Sequence, residues 1–219
     1  RLGAPDHNNE IIEIGIDFHV FNPSVKYGKA RKDLGLLKRD KMIFSSRGFK
    51  SLYNLDIVLK AIPSVISSEK HAKFVFASHI PGFMEKYGSL ITQLGIEDNV
   101  IFAGQLNNTE TMPFFCKDAD VVISVPSSDS SPSSVYEAMA CKTPVITSDL
   151  PWYKGKLDED RDMVVVPVRN VEKLAQAIIQ VLSGERRVDV DSAYQKVYNN
   201  INFETENRKL ERLYEKILS

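Results

Sequence analysis

The chain has 219 residues, and its 43% hydrophobic and 26% charged residues are typical of a globular protein and exclude a disordered or collagen-like chain. Its 28 Lys and Arg against 29 Asp and Glu give a net charge of −1, which disfavours nucleic acid or an acidic membrane surface as partner. The two cysteines, Cys116 and Cys141, are too few for a disulfide scaffold and favour a reducing compartment. The sequence contains no run of 18 apolar residues of the kind that could span a bilayer.

The opening of the chain, Arg1–Glu10, is polar and has neither the basic start nor the apolar segment of a signal peptide. Because the first residue is Arg, we expect the chain to be part of a longer protein. The rest of that protein would then carry part of the function.

Six short runs rich in Val, Ile and Phe are predicted to be β-strands. They are nearly continuous apolar runs, which are typical of strands buried on both faces of a parallel sheet. In chain order the predicted strands are Lys41–Ser46, Ala72–Ser78, Asn99–Ala103, Asp120–Val125, Pro144–Ser148 and Met163–Pro167.

Amphipathic segments lie between these strands, with apolar residues that recur at helical spacing. Pro63 is expected to kink the first helix, and Gly184 to end the helix that follows the last strand. The charged tail has its apolar residues on one face, so we expect it to pack along a surface. The predicted helices are Leu55–Ser67, Pro81–Leu94, Asn108–Ala119, Ser134–Cys141, Val171–Leu182 and the tail Asp191–Ser219.

Strands that alternate with helices predict an α/β fold, a Rossmann-like doubly wound parallel sheet of about six strands. We divide the chain into a linker with a remnant of a preceding domain (residues 1–25), the doubly wound domain (26–184) and the helical tail (185–219). Ligands of such sheets bind beyond the carboxyl ends of the strands. The loops expected there are Arg47–Asn54, Ser78–Gly82, Gly104–Asn107, Pro126–Ser134 and Asp149–Gly155.

The loop that begins at Pro126 is the richest in polar groups and leads into a helix whose first turn should include Ser133–Tyr136. Free backbone N–H groups at a helix start form an anion site, and one of the two serines at this start is expected to cap the helix. Asp129 before the helix and Glu137 within it could bracket a ligand. The equally weighted alternative is a serine-rich capping loop with a surface glutamate.

The stretch Asp129-x7-Glu137, continued by Ala138-Met-Ala-Cys-Lys-Thr-Pro-Val-Ile146, resembles the signature of glycosyltransferase family 4, retaining enzymes of the GT-B architecture. Many members have two glutamates separated by seven residues. A subset has an aspartate motif in place of the first glutamate, and Asp129–Ser134 is similar to that subset.

The resemblance extends over nearly the whole chain. Gly15–Asp17 and Phe21–Pro23 are similar to the interdomain linker of the family, and Asn99–Gly104 is similar to its fourth-strand region. The resemblance therefore implies one half of a GT-B architecture, the C-terminal half that binds the nucleotide-sugar donor.

Three side chains would carry catalytic roles by this resemblance. Glu137 would accept hydrogen bonds from the ribose hydroxyls, and Asp129 would face the transferred sugar. Arg47, directly after the first strand, would neutralise the leaving diphosphate. The alternative for Arg47 is a surface arginine at a strand end.

Two main-chain segments would bind the donor by the same resemblance. N–H groups at the helix start would hold the diphosphate, and the segment after the third strand would meet the base, with a glycine that lets backbone approach a ligand closely. The first segment is Ser133, Ser134 and Val135, and the second is Gly104, Gln105 and Leu106.

One part of the family pattern is missing. The family usually has Lys-Gly shortly after the arginine, whereas Tyr53-Asn54 stand there in this chain. Lys50 is the nearest lysine, although out of register, and we assign it the role of second phosphate cation by proximity alone.

Three other features are candidates for ligand binding. Asp118-Ala-Asp120 is a DxD string of the kind that binds manganese in glycosyltransferases of another fold, but Asp120 begins a predicted buried strand. His79 is the histidine best placed to touch a ligand, and for Trp152 and Tyr153 packing is favoured over lining the cleft. We therefore expect no metal site.

The resemblance implies a metal-independent glycosyltransferase, whose nucleotide-sugar donor is a substrate and which needs no cofactor. The acceptor, a glycan, a lipid-linked molecule or another compound, would bind the N-terminal domain, so this chain alone should be inactive. The expected location is cytoplasmic, with peripheral contact to the cytoplasmic membrane face left open for the longer protein. A non-catalytic GT-B-like binding or scaffolding module is the alternative, motivated by the missing Lys-Gly and by Asp129.

Overall fold

The computed structural model describes residues 12–78 and 82–218. The expectations for Arg1–Glu10, for His79 and for a helix start at Pro81 lie outside the described residues.

Six parallel strands form one sheet in the order β3-β2-β1-β4-β5-β6. This order confirms the predicted doubly wound α/β fold, and each strand ends within one residue of its predicted boundary. Chain order reverses between β1 and β4, which are direct neighbours. The strands are β1 (Lys41–Ser45), β2 (Ala72–Ala77), β3 (Val100–Gly104), β4 (Val121–Ser124), β5 (Val145–Ser148) and β6 (Val164–Val166).

Eight α-helices are found in the described residues. The helix α1 was not predicted, and α2 continues through Pro63. The tail is helical, as predicted, but it consists of two helices, α7 and α8, rather than one. The helices are α1 (Lys29–Asp33), α2 (Leu55–Ser68), α3 (Phe83–Leu94), α4 (Met112–Asp118), α5 (Ser133–Ala140), α6 (Val171–Ser183), α7 (Val190–Asn200) and α8 (Phe203–Leu218).

The helices cover both faces of the sheet, and each face has its own apolar core. Helices α2, α3 and α6 pack on one face, while α1, α4, α5 and α7 pack on the other. Alternate residues of one strand point to opposite cores, so that Met42 and Phe44 lie in one and Ile43 in the other. Burial on both faces explains why the strands are apolar along their whole length.

The DxD string anchors α1. Asp118 is fully buried, and its carboxylate accepts hydrogen bonds from the N–H of Gly28 at 2.5 Å and of Arg31 at 3.1 Å. Asp120 forms an ion pair with Arg31 and accepts a hydrogen bond from the N–H of Met42 at 2.7 Å. Both carboxylates therefore stabilise the packing of α1 against the sheet.

The chain crosses over the junction of α7 and α8 at residues 15 and 16. The N–H of Ile16 donates to the carbonyl of Ile201 at 2.8 Å, and the N–H of Phe203 donates to the carbonyl of Ile16 at 3.0 Å. Gly15 lies so close that an added Cβ would be 2.3 Å from the Cα of Phe203. These contacts occupy the point at which the tail breaks into two helices. Among the described residues, no helix is long and apolar enough to cross a membrane.

Candidate active site

The candidate site lies at the carboxyl ends of β1 and β4, where the strand order reverses. The β1 strand ends at Ser45 and is followed by Arg47, while β4 ends at Ser124 and leads through the Asp129 loop into α5. Neighbouring parallel strands deliver both loops to the same edge of the sheet, which is the usual ligand position in doubly wound folds.

Arg47 is held by two partners on the β4 side of this edge. Its Nε donates to Oγ of Ser124 at 2.8 Å, and its Nη2 donates to Oδ2 of Asp129 at 2.6 Å. The guanidinium carbon also lies 5.4 Å from the ring centroid of Tyr53, a cation–π distance. The arginine is therefore held in place, and the interpretation of Arg47 as a free surface arginine is wrong.

Glu137 lies on the buried side of α5, with 8% of its surface exposed. Burial raises the pKa of its carboxyl from 4.5 to about 7, and the positive charge of Arg47 acts in the opposite direction. The alternative of a surface glutamate is thus wrong. Arg47, far from both carboxylates in sequence, thus lies in one electrostatically coupled group with Asp129 and Glu137.

The start of α5 differs in one respect from the prediction. The N-cap residue is Pro132, and no side chain caps the helix, so the expectation that a serine would cap it is wrong. The N–H of Ser133 donates to the carbonyl of Ser131 at 3.0 Å, and that of Val135 to the carbonyl of Pro132 at 2.9 Å. The N–H of Ser134 has no acceptor among the described residues.

A cavity of about 330 Å³ adjoins this helix start. Ser133 and Glu137 line it on one side, and Gly15 and Asp17 line it on another. Thr109, in the loop after β3, closes a further side. A space large enough for part of a small ligand thus adjoins the carboxylate of Glu137.

The segment predicted to meet a base has a mixed environment. Gly104 has a φ of 74°, in the left-handed region that favours glycine, and its carbonyl accepts a hydrogen bond from the N–H of Ser78 at 3.0 Å. Gln105 is exposed, whereas Leu106 is buried in the core. An added Cβ at Gly104 would meet nothing within 4 Å, so backbone conformation alone accounts for the glycine.

Lys50 lies outside the coupled group of Arg47, Asp129 and Glu137. It is exposed, precedes the short 3-10 helix Ser51–Tyr53 and forms no ion pair with any described residue.

The residues that sequence reasoning missed are Ser124 and Asn54. Asn54 has a φ of 52° at the point where the family has the glycine of Lys-Gly, a conformation that asparagine tolerates better than most residues. This preference of asparagine is the feature of the sequence that could have identified Asn54.

Trp152 and Tyr153 are buried, as the packing interpretation predicted. The ring of Trp152 lies edge-on to Tyr136 with centroids 5.6 Å apart, which supports the back of α5. Burial also raises the pKa of the Tyr136 hydroxyl, so this group is neutral at physiological pH. Within residues 12–78 and 82–218, no group of three or more His, Cys, Asp or Glu could hold a metal ion.

Comparison with known protein families gives one match over most of the chain. The model of the family described as glycosyl transferases group 1 matches residues 27–200. The matched region includes the whole sheet, α5 and all three side chains of the coupled group.

Two curated relatives match most of this chain. An uncharacterized glycosyltransferase of Methanocaldococcus jannaschii is 26% identical over 210 residues, covering 93% of this chain and 53% of the relative. The alpha-monoglucosyldiacylglycerol synthase of Streptococcus pneumoniae is 28% identical over 192 residues, covering 86% of this chain and 43% of the relative. The chain spans about half the length of the curated relatives it matches.

Solved structures of glycosyltransferases share the fold. Sucrose-phosphate synthase of Thermosynechococcus elongatus superposes with a TM-score of 0.84 at 19% identity, over 95% of this chain and 52% of that one. HepE of Anabaena in complex with UDP and glucose gives a TM-score of 0.84 at 15% identity, over 98% of this chain and 59% of that one. The C-terminal domain of the Francisella tularensis group 1 protein LpcC gives 0.72 at 16% identity, over 86% of this chain and 99% of that domain. The predicted fold, one half of a GT-B architecture, is thereby confirmed.

Proposed function

The chain belongs to the group 1 family of glycosyl transferases, and from this membership we propose that it is the donor-binding domain of a retaining glycosyltransferase. In this proposal the longer protein moves a sugar from a nucleotide-sugar to a glycan or another acceptor, which binds outside this chain. We also propose that the chain is a member of glycosyltransferase family 4, because the residue pattern around Glu137 resembles the signature of that family.

The observation that carries the proposal is the coupled group of Arg47, Asp129 and Glu137 at the carboxyl edge of the sheet. A nucleotide-sugar has three parts that a protein can recognise, and each part suits one side chain of the coupled group. The guanidinium suits the diphosphate, the buried carboxylate of Glu137 suits the vicinal hydroxyls of ribose, and Asp129 suits the hydroxyls of the sugar.

Departure of the nucleoside diphosphate is the step that the residues of this chain would promote. Negative charge grows on the diphosphate as the bond to the sugar breaks, and a cation fixed in advance stabilises that charge without reorganising. Arg47 is fixed by the hydrogen bond that its Nε donates to Oγ of Ser124 at 2.8 Å. The N–H of Ser134, which has no acceptor among the described residues, would supply a further donor at the positive end of α5. These groups need no metal ion to do so.

UDP-linked sugars are the first donors to test. HepE, which shares the fold, has been solved with UDP and with UDP-glucose. The streptococcal relative acts in monoglucosyldiacylglycerol synthesis by its name, which makes a lipid acceptor and contact with the cytoplasmic membrane face reasonable proposals for the longer protein.

The alternative, a non-catalytic binding or scaffolding module, is not favoured. The matching family and one curated relative are glycosyltransferases by name, and Arg47, Asp129 and Glu137 are all present. Inactivity of this chain by itself remains our proposal, because the acceptor would bind elsewhere in the longer protein.

The test is calorimetric titration of the chain with UDP, GDP and ADP, without added metal and again with excess chelator. We expect saturable binding of one nucleotide, weakened by Arg47→Ala and by Glu137→Gln. Arg161→Ala and Glu185→Gln, which change exposed residues before β6 and after α6, at the opposite edge of the sheet, are the matched controls and should bind as the wild type does. Absence of binding to any nucleotide, in both this chain and the longer protein, would overturn the proposal.

A further inference from the structure

Asn54 is a polar residue with no exposed surface, at the junction of a short 3-10 helix and α2. Its φ of 52° lies in the left-handed region. Glycine would adopt this conformation without strain, and asparagine is the next best residue. The backbone alone therefore does not explain a buried amide here, and the contacts of the side chain have to be considered.

The amide of Asn54 connects loops that follow three different strands. Its Nδ2 donates to the carbonyl of Val125 at 2.9 Å and lies 2.9 Å from Oγ of Ser127, both in the loop after β4. Its Oδ1 accepts a hydrogen bond at 2.8 Å from Nη1 of Arg169, in the loop after β6. Asn54 itself belongs to the loop after β1, so one side chain bridges all three.

Both ends of this bridge reach the coupled group of the candidate site. On the β1 side, Tyr53 precedes Asn54 and lies under the guanidinium of Arg47. On the β4 side, Ser127 is two residues before Asp129, and its N–H donates to the carbonyl of Leu52 at 2.8 Å. The bridge therefore holds the loop that carries Arg47 against the loop that carries Asp129.

Arg169 is the third partner and is itself in an unusual conformation. Its φ is 59°, and its Nη2 donates to Oδ2 of Asp56 at 3.2 Å. Two non-glycine residues in left-handed conformations are thus hydrogen-bonded to each other across the sheet edge. Such conformations persist where the surrounding contacts over-determine them, and they concentrate at functional sites.

We propose that Asn54 is a positioning residue of the candidate active site. It sets the distance between Arg47 and Asp129, and thereby the spacing between the diphosphate and the sugar of a bound donor. This inference rests on the proposed function and deepens it. Asn54 does not touch the donor and acts through the two loops that it joins.

The first experiment follows the loop directly by hydrogen exchange of the chain without ligand. The variant Asn54→Gly preserves the left-handed backbone and removes the bridge. We expect the N–H of Ser127 to exchange about fivefold faster for each hydrogen bond lost, while amides of β4 and β5 are unchanged. Asp160→Gly is the matched control, since Asp160 is also left-handed, with a φ of 67°, but lies outside the site. Unchanged exchange at Ser127 in Asn54→Gly would overturn the inference.

The second experiment separates positioning from simple stabilisation by comparing affinities for UDP-glucose and UDP. A shift of the Asp129 loop should weaken UDP-glucose more than UDP, because Asp129 faces the sugar, and we expect the ratio of the two dissociation constants to change about fivefold. A purely structural role would leave that ratio unchanged. The milder variant Ser127→Ala should move it in the same direction, which keeps the test decisive if Asn54→Gly folds poorly.

The outcomes distinguish this inference from the proposed function. If the wild type binds UDP-glucose and the ratio is unchanged in both variants, the role of Asn54 is overturned and the proposed function is not. If the wild type and the longer protein bind no nucleotide, the proposed function fails, and with it the role of Asn54 that depends on it.

Discussion

The guanidinium of Arg47 and the carboxylate of Asp129 are hydrogen-bonded at 2.6 Å, with only 15% and 14% of the two side chains exposed. The cation proposed to receive a diphosphate is thus already paired with an anion. Binding of a donor must either displace the carboxylate or share the guanidinium with it. The pair therefore sets how strongly the site attracts a diphosphate that carries no sugar.

Replacing Asp129 by asparagine should strengthen the binding of UDP. The substitution removes an anion that competes for Arg47 and repels the diphosphate, while the amide oxygen can still accept the hydrogen bond from the N–H of Ser130. We expect UDP affinity to rise severalfold in calorimetric titrations, most clearly at low salt. Weaker UDP binding by Asp129→Asn would contradict competition between the carboxylate and the diphosphate.

Lysine at position 47 should not replace arginine. Arg47→Lys keeps the positive charge but has no Nε to donate to Ser124, and its ammonium cannot bind two oxygens side by side. We expect UDP affinity to fall about tenfold, to a value between those of the wild type and Arg47→Ala. Equal affinities of Arg47→Lys and the wild type would mean that charge alone matters at this position.

Stability should depend on pH through Glu137. Its pKa of about 7 in the folded protein exceeds the usual 4.5, so the folded state holds a proton that the unfolded state releases. The free energy of unfolding should therefore fall as pH rises from 4.5 to about 7, by about 3 kcal/mol at most. Glu137→Gln should remove this decline, which urea unfolding at several pH values would measure. Parallel profiles of the two proteins would contradict it.

Donor binding should show the opposite pH dependence. A carboxylate accepts hydrogen bonds from ribose better than a carboxylic acid does, so affinity for UDP-glucose should rise from about pH 6 to about pH 8, through the pKa of Glu137. UDP-glucose is the suitable probe, because a terminal phosphate titrates in the same range and would confuse the result. Glu137→Gln should bind with little pH dependence. If its profile follows that of the wild type, another group is responsible.

Gly15→Ala should destabilise the fold. The added Cβ would lie 2.3 Å from the Cα and 2.6 Å from the N of Phe203, so the backbone of one segment must move. We expect a loss of about 1–3 kcal/mol in the free energy of unfolding. Gly88→Ala is the matched control. Its Cβ would meet only the flexible end of Met84 at 3.4 Å inside a helix, and it should be neutral or stabilising by up to about 1 kcal/mol. Equal effects of the two substitutions would exclude a special role for position 15.

The sequence predicted the sheet well because burial on both faces leaves a simple pattern. Runs such as residues 121–125 are apolar at nearly every position, and this one begins after Asp120 and ends before Pro126, so its ends are visible in the sequence. The helix α1 has no such pattern, because its five residues are mostly charged and it depends on Asp118, 87 residues from Arg31. Contacts between distant residues of this kind leave no local trace in the sequence.

The same distinction applies to the candidate site. Arg47, Asp129 and Glu137 were found because they stand in a recognisable order along the chain. Lys50 was chosen by proximity in sequence, and the structure leaves it exposed and unpaired with any described residue, whereas Arg169, remote in sequence, reaches the Asn54 position. The break between α7 and α8 was also missed. Ile16, remote in sequence, forms hydrogen bonds there, while the local contribution is that of Asn202, whose Oδ1 accepts a hydrogen bond from the N–H of Glu204.

The hydrogen bonds between Ile16 and the junction of α7 and α8 join residues that are 185 and 187 positions apart. A contact of that span closes a loop that contains most of the chain. The loss of chain entropy on closing this loop is large until the intervening sheet has formed and brought its ends together. We therefore expect these hydrogen bonds to form late in folding and to be among the first to open, with the sheet still intact. Since residues 15–17 also line the cavity beside Glu137, such an opening would widen the entrance to the candidate site without disturbing the strands that support it.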